Sequence, residues 1–206
     1  MRRLPVFILI DSSTSMRGEA IDAVNIGIKL LLQSLRTNPF ALETVYLSVL
    51  SFNTEAFIVR PFSDLLNNDL VTIEAKGRSN FGIGLELLMT EMRQQINKTS
   101  NGKKGDWKPI IIFMTDGRPS GAWKKKIKEF HSWNTGQFIV CACGMKSNLQ
   151  IAESFGGNIV ILNNKNKSSI YEFFNWVSTS ISVHSKKIEQ NTNESEINNK
   201  FKIQLD

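Results

Sequence analysis

The chain has 206 residues, 41% apolar and 21% charged, enough for one medium-sized domain with a proper core and too few for two. Its formal charge of +6 and pI near 9.4 fit nucleic acid, anionic lipid or an acidic protein as partner, and equally fit plain solubility. No apolar run approaches the ~18 residues of a membrane span. The two cysteines, Cys141 and Cys143, lack zinc-site spacing and stand too close on one strand face for an unstrained bridge. They read as buried reduced thiols of a soluble, cytoplasmic protein.

The first apolar run, Leu4–Ile10, follows Met1-Arg2-Arg3 in the manner of a signal peptide, but Asp11 ends it and no small-residue cleavage site follows. Its continuous β-branched and aromatic character predicts a strand buried on both faces. Ile21, Val24, Ile28, Leu31, Leu32 and Leu35 then trace one face of a helix over Glu19–Leu35, which Asn38-Pro39 stops. Thr44–Phe52 and Phe57–Phe62 read as two strands of a hairpin, the second an antiparallel edge. A glycine-containing loop, residues 77–80, leads into a helix over Phe81–Ile96. The polar stretch 99–108 reads as a loop in which Asp106-Trp107 is an anchor.

Beyond it, Pro109–Met114 is a short strand, and Ser120 caps a helix reaching about Trp133. Gln137–Cys143 is a strand, Leu149–Phe155 a short helix and Asn158–Leu162 the last strand. Ser168 or Ser169 caps a closing helix to about Val183. Residues 184–206 are polar and read as a flexible tail in which Phe201, Ile203 and Leu205 alternate as in a short docking strand. Alternating strands and helices mean an α/β fold with a mostly parallel sheet and ligand sites beyond the strands' carboxyl ends.

Three strand-end loops carry candidate chemistry. Asp11-Ser12-Ser13-Thr14-Ser15 offers one carboxylate and alternating hydroxyls, Gly77-Arg78-Ser79-Asn80-Phe81-Gly82 offers one more hydroxyl, and Met114-Thr115-Asp116-Gly117 offers a second carboxylate beside a turn glycine. Each loop alone is commonplace, since Ser and Thr cap helices and Asp-Gly makes turns. The glycine loop is not a phosphate loop, because Ile83 and Gly84 stand where Lys and Ser/Thr are needed. Together, two carboxylates and three hydroxyls converging on one sheet edge suit a hard cation such as Mg²⁺ or Mn²⁺.

These motifs resemble the metal-ion-dependent adhesion site of von Willebrand A domains: D-x-S-x-S at Asp11, Ser13 and Ser15, the hydroxyl of Ser79, and T-D-G at Asp116. The stretches RRLPVFILID, SMRGEAI, NPFALETVYLSV, GDWKP and MTDGRP are further similar to the TerY-type A-domain proteins of bacterial tellurite-resistance clusters. The resemblance implies a Rossmann-like three-layer α/β/α domain over residues 1–183, followed by the tail, 184–206. It implies Asp11, Ser13, Ser15 and Ser79 as metal contacts, Asp116 acting through a bridging water, and a last coordination position left for a carboxylate of a protein partner. Mg²⁺, Mn²⁺ or Ca²⁺ would serve. Ser79 stands where Thr is usual, keeping the oxygen and losing the methyl that fixes its rotamer. Arg78 and Arg118 are expected on the rim, where they would weaken metal binding and favour an acidic ligand. The family context adds a kinase and a phosphatase as associates.

The other features point elsewhere less strongly. Lys124, Lys125, Lys126 and Lys128 lie on a helix with Trp123 and Trp133 nearby, a pattern that suits either a solvated face or base stacking. His131 and His184 are the only histidines, and neither accompanies a nucleophile motif. A non-enzymatic binding module is therefore the leading expectation. A metal-assisted phosphoester hydrolase and a metal-independent nucleic-acid binder are the alternatives, the first lacking a base and the second predicting strong salt dependence. No membrane partner is expected.

Overall fold

The computed structural model describes residues 2–100, 102–117, 120, 122–133, 135–144, 153–189 and 202–205. The first strand, β1 (Leu4–Asp11), is buried at every residue. Its side chains alternate between two cores, as a two-residue repeat requires. Leu4, Val6, Ile8 and Ile10 face one core, which holds residues of α1 (Glu19–Arg36), α2 (Pro39–Thr44) and α5 (Lys167–Glu189). Phe7 and Leu9 face the other, filled from α3 (Phe81–Gln95) and α4 (Trp123–His131). Where α1 meets α5, a Cβ on Gly27 would stand 2.2 Å from Phe174 Cδ2, so this approach admits only glycine without repacking.

The remaining strands are β2 (Val45–Phe52), β3 (Ala56–Asp64), β4 (Ile110–Thr115), β5 (Gln137–Cys143), β6 (Asn158–Leu162) and β7 (Lys202–Leu205). They form one seven-stranded sheet in the order β3-β2-β1-β4-β5-β6-β7. Every neighbouring pair is parallel except β2–β3, which is antiparallel at the edge. This is the expected three-layer arrangement. The chain leaves β1 toward β2 on one side and β4 toward β5 on the other. Between β1 and β4 the order therefore reverses, and the loops beyond their carboxyl ends part to leave a crevice, the usual ligand position in open α/β sheets.

Local chemistry places several element ends differently from the sequence reading. Asn38-Pro39 ends α1 but also begins α2: Asn38 caps it by accepting from Ala41 N, and Pro39 occupies the first turn, where its missing N–H costs nothing. Ser120 does not cap α4; its hydroxyl donates to the carbonyl of Ser79, and the residue at the cap position, Ala122, makes no side-chain cap. At α5 the capping oxygen belongs to Asn166, which accepts from the backbone N and the hydroxyl of Ser169 at 2.9 and 2.8 Å. That helix continues to Glu189, past the expected end at Val183, and burial of Ile188 holds its last turns to the core.

Lys202–Leu205 pairs with β6 in register Ile159↔Lys202 to Leu162↔Leu205. The expected flexibility of 190–201 and most of the expected helix at 149–155 lie outside the described residues, although 153–155 are helical. Asp106 anchors its loop as expected, accepting from Arg3 through both oxygens at 3.1 and 2.6 Å, while Arg2 lies 3.5 Å over the Trp107 ring. The arginines that look like a signal-peptide start are thus tied into the fold.

Candidate metal centre

The crevice between β1 and β4 brings the three loops together because the register Ile10↔Met114 sets the two strand ends side by side. Asp11, the last residue of β1, is fully buried. One carboxylate oxygen accepts from the backbone N of Ser13 at 2.9 Å, and the other accepts from Ser79 Oγ at 2.6 Å and Thr115 Oγ1 at 2.8 Å. None of these donors is cationic. Burial raises the Asp11 pKa above the ordinary carboxylate value, and the hydrogen bonds from Ser79, Ser13 and Thr115 only partly offset it.

Asp116 joins from the opposite wall. Its Oδ1 accepts from Ser15 Oγ at 2.7 Å, and Ser15 Oγ lies 3.1 Å from Ser13 Oγ. Because the Ser15 proton goes to Asp116, Ser13 is the donor in that second contact. Asp11, Ser13, Ser15, Ser79 and Asp116 therefore form one network, running from Ser79 to Asp11 and on through Ser13 and Ser15 to Asp116. The hydroxyl protons of Ser15 and Ser79 point at carboxylates, which leaves oxygen lone pairs free for a cation.

The middle loop is held rigidly. Thr14 donates to Gly77 O through both its backbone N and its hydroxyl, at 3.0 and 2.9 Å, Lys76 N donates to Ser12 O at 2.9 Å, and Asn80 N donates to Asn53 O at 3.0 Å. Beneath it, Ser51 Oγ and Asn53 Nδ2 both donate to Ser12 Oγ. Gly117 has no positive φ. Its glycine gives space instead: a Cβ there would lie tightly, 3.2 Å from Asp11 Oδ2 and 3.4 Å from Ser79 Oγ.

Two residues outside the sequence-based set join the site. Thr115 lies inside the T-D-G motif, where its place as the last strand residue facing Asp11 could have been read. Lys165, from the segment between β6 and α5, donates to Asp116 Oδ2 at 2.6 Å and to Ser15 O at 2.9 Å, and nothing in its polar surroundings marks it. Of the two expected rim arginines, Arg78 is exposed next to Ser79, and Arg118 lies outside the described residues.

The donor set is all oxygen, with two carboxylates and several hydroxyls, and at its centre stands a buried anion that has no cation among its partners in the described residues. That chemistry fits a hard divalent ion. Among the described residues no group of three or more His, Cys, Asp or Glu side chains gathers, so an ion held here would rest on hydroxyls as much as on carboxylates. Neither histidine reaches this edge. His131 ends α4, which runs back toward the strands' amino ends and places it against Phe130 and Phe138, and His184 is buried late in α5.

Trp123 stacks on Phe155, Trp133 packs against the α3–α4 core beneath Arg93, and Lys126 pairs with Glu86 and Glu129. Both tryptophans are thus used in packing, and part of the lysine run is paired. Cys141 and Cys143 are free and buried, with Sγ atoms 3.7 Å apart. No helix among the described residues is long and apolar enough to cross a membrane.

Comparison with known proteins gives one family: the pattern of the von Willebrand factor type A domain matches residues 6–169. No curated protein matches significantly. Among solved structures, the chain is similar to a D319A mutant of the PilB minor pilin from Streptococcus sanguinis, with TM-score 0.69 and 12% identity over 94% of this chain and 64% of that one. It is similar to the pilus adhesin SpaC from Lactobacillus rhamnosus GG, with TM-score 0.70 and 12% identity over 88% of this chain and 31% of that one. A von Willebrand factor type A protein from Catenulispora acidiphila gives TM-score 0.66 and 16% identity over 88% and 43%. The chain thus spans less than two thirds of these structures, and at such identities the likeness is one of fold.

Proposed function

The chain belongs to the von Willebrand factor type A domain family, and from that premise we propose that it is a non-enzymatic binding module whose Asp11, Ser13, Ser15, Ser79 and Asp116 hold one divalent cation, Mg²⁺ or Mn²⁺ before Ca²⁺, used to grip a carboxylate of an acidic protein partner. One observation carries the proposal: five oxygen-bearing side chains from three loops form a single network, and its fully buried aspartate, Asp11, has no cationic partner among the described residues. A cation bound there supplies a point of positive charge toward which an anionic oxygen can be drawn. Asp11 holds the Ser79 and Thr115 hydroxyls in orientation, Asp116 holds that of Ser15, and exposed Arg78 adds a positive charge on the rim that favours an acidic ligand. The position of both histidines away from this edge removes the usual general base, which speaks for binding over hydrolysis.

The finer reading rests on the similarity of five sequence stretches to TerY-type proteins. It places the module in a cytoplasmic stress-response system of the tellurite-resistance kind, as a scaffold beside a kinase and a phosphatase. The free, buried pair Cys141 and Cys143 is compatible with a reducing compartment.

The deciding experiment is calorimetric titration of Mg²⁺ and Mn²⁺ into the wild type and Asp11→Ala, followed by binding of Asp- and Glu-bearing peptides with and without chelator. Ion binding lost in Asp11→Ala, with peptide binding lost in chelator, is the expected result. The metal reading is overturned if neither the wild type nor a variant relieved of the Lys165 charge on Asp116 takes up either ion. Chelator-insensitive binding of nucleic acid that falls steeply with salt would favour the basic-surface alternative.

A further inference from the structure

Lys165 brings a cation to the five-residue network. Its Nζ sits 2.6 Å from Asp116 Oδ2 and 2.9 Å from the carbonyl of Ser15. The position is built. The lysine stem crosses Gly144, a residue at φ +81° where an added Cβ would fall 2.8 Å from Lys165 Cγ, so only glycine leaves the passage open. The segment carrying it is fastened on both sides. Asn163 N donates to Leu205 O of β7 at 3.4 Å and Asn163 Oδ1 accepts from Gln204 Nε2 at 2.9 Å, while Lys167 N donates to Glu19 Oε1 at 3.3 Å. The two ends of the ion pair differ, however. The Asp116 side chain is 1% exposed and that of Lys165 35%, so the lysine can swing out to water without unfolding anything.

Of the two Asp116 oxygens, Oδ1 accepts from Ser15 and Oδ2 accepts from Lys165. An ion that draws on Asp116 meets a positive charge already seated on it. We propose that Lys165 is an internal competitor of the divalent ion: it neutralises Asp116 in the metal-free protein, leaves it when the ion enters, and so sets the ion concentration at which the site fills. This rests on the metal reading above and goes beyond it, because a site of the same five ligands without this lysine would fill at lower concentration. A unit charge near a dication in a partly solvated crevice changes affinity by about tenfold or more. The hydroxyl and carboxylate geometry stays intact in the metal-free state through Ser15 and Asp11.

The test compares Mg²⁺ and Mn²⁺ affinity of the wild type, Lys165→Met, which keeps most of the stem and removes the charge, and Lys165→Arg, which keeps the charge. It adds acylation of wild-type lysines read by mass spectrometry with and without Mg²⁺. The expectation is that Lys165→Met binds about tenfold or more tighter, that Lys165→Arg stays closer to the wild type than Lys165→Met, and that acylation of Lys165 rises on adding Mg²⁺ while that of Lys29 and Lys98 does not. Ion binding by Lys165→Met where the wild type binds none is the extreme form of the same result. If the wild type binds and Lys165→Met binds no tighter, the competitor role fails and the metal site stands. If no variant binds an ion, the metal reading fails and the competitor role with it. Should Lys165→Met not fold, the labelling decides: Lys165 reactivity unchanged by a bound ion overturns the proposal.

Discussion

Replacing Thr115 by Val tests the network without opening a cavity, since the two side chains have nearly the same shape. Thr115 is 3% exposed. Its hydroxyl donates to Asp11 Oδ2 at 2.8 Å and accepts from Gly117 N at 3.0 Å, so it both serves the buried carboxylate and pins the turn after β4. Loss of a bond to a charged, buried acceptor costs about 1.5–3 kcal/mol. Gly117 is only half-buried, so water can satisfy its freed N–H and the second loss adds about 1 kcal/mol or less. The expected destabilisation is therefore about 2–4 kcal/mol, or a fall in urea midpoint of ~1–2 M for a slope near 2 kcal/mol/M. The assay is urea unfolding in chelator, so that only the metal-free network is read, with Thr115→Ser as control because it keeps the hydroxyl. Thr115→Val should also weaken Mg²⁺ binding, because Asp11 loses one of the groups that fix it. A midpoint within ~0.2 M of the wild type, with the slope unchanged, would show that the Asp11 hydrogen bonds contribute nothing net and refute the reasoning.

Three further outcomes follow from the same geometry. Burial raises the Asp11 pKa, so the folded chain holds that proton more tightly than the unfolded chain; metal-free stability should rise as pH falls through the raised folded value toward the unfolded value of about 3.9. Asp11→Asn should remove that component and be more stable than the wild type at neutral pH in chelator while binding no ion; identical pH profiles of unfolding would sink the idea. Gly117→Ala should weaken ion binding more than it weakens the fold, because its Cβ would lie 3.2 Å from Asp11 Oδ2 and 3.4 Å from Ser79 Oγ, and calorimetry beside thermal melting separates the two effects. Arg78→Ala should tighten Mg²⁺ binding by a few-fold at low ionic strength and lose the effect in ~1 M salt, since Arg78 is exposed and its charge is screened over ~3 Å there; an affinity indifferent to both changes would remove Arg78 from the rim.

How far the sequence foretold this arrangement depends on whether the signal was local. Strands buried on both faces, such as Leu4–Asp11 and Ile110–Thr115, announce themselves as apolar runs, and their order with the helices between them implies the sheet. Once β1 and β4 are neighbours, the residues just past their ends must meet, and this is why the Asp11 and Asp116 loops could be paired without coordinates. Asn38-Pro39 was ambiguous because the same dipeptide that stops one helix caps and opens the next, and only tertiary burial of Ala41 and Leu42 decides that α2 forms. β7 has just four residues of half-exposed alternation, enough for Ile203 and Leu205 to mark a short docking strand but not to say that it joins the sheet beside β6. Lys165 was invisible for a different reason: in Asn163–Lys167 a lysine is the ordinary solvent-facing residue, and its role exists only because β6 lies two strands from β4 and its following segment turns back across Gly144 toward Asp116. The two carboxylates of such a site are written in motifs because each sits at a strand end. The charge that regulates them can come from any loop long enough to reach, so it is found only when distances are known.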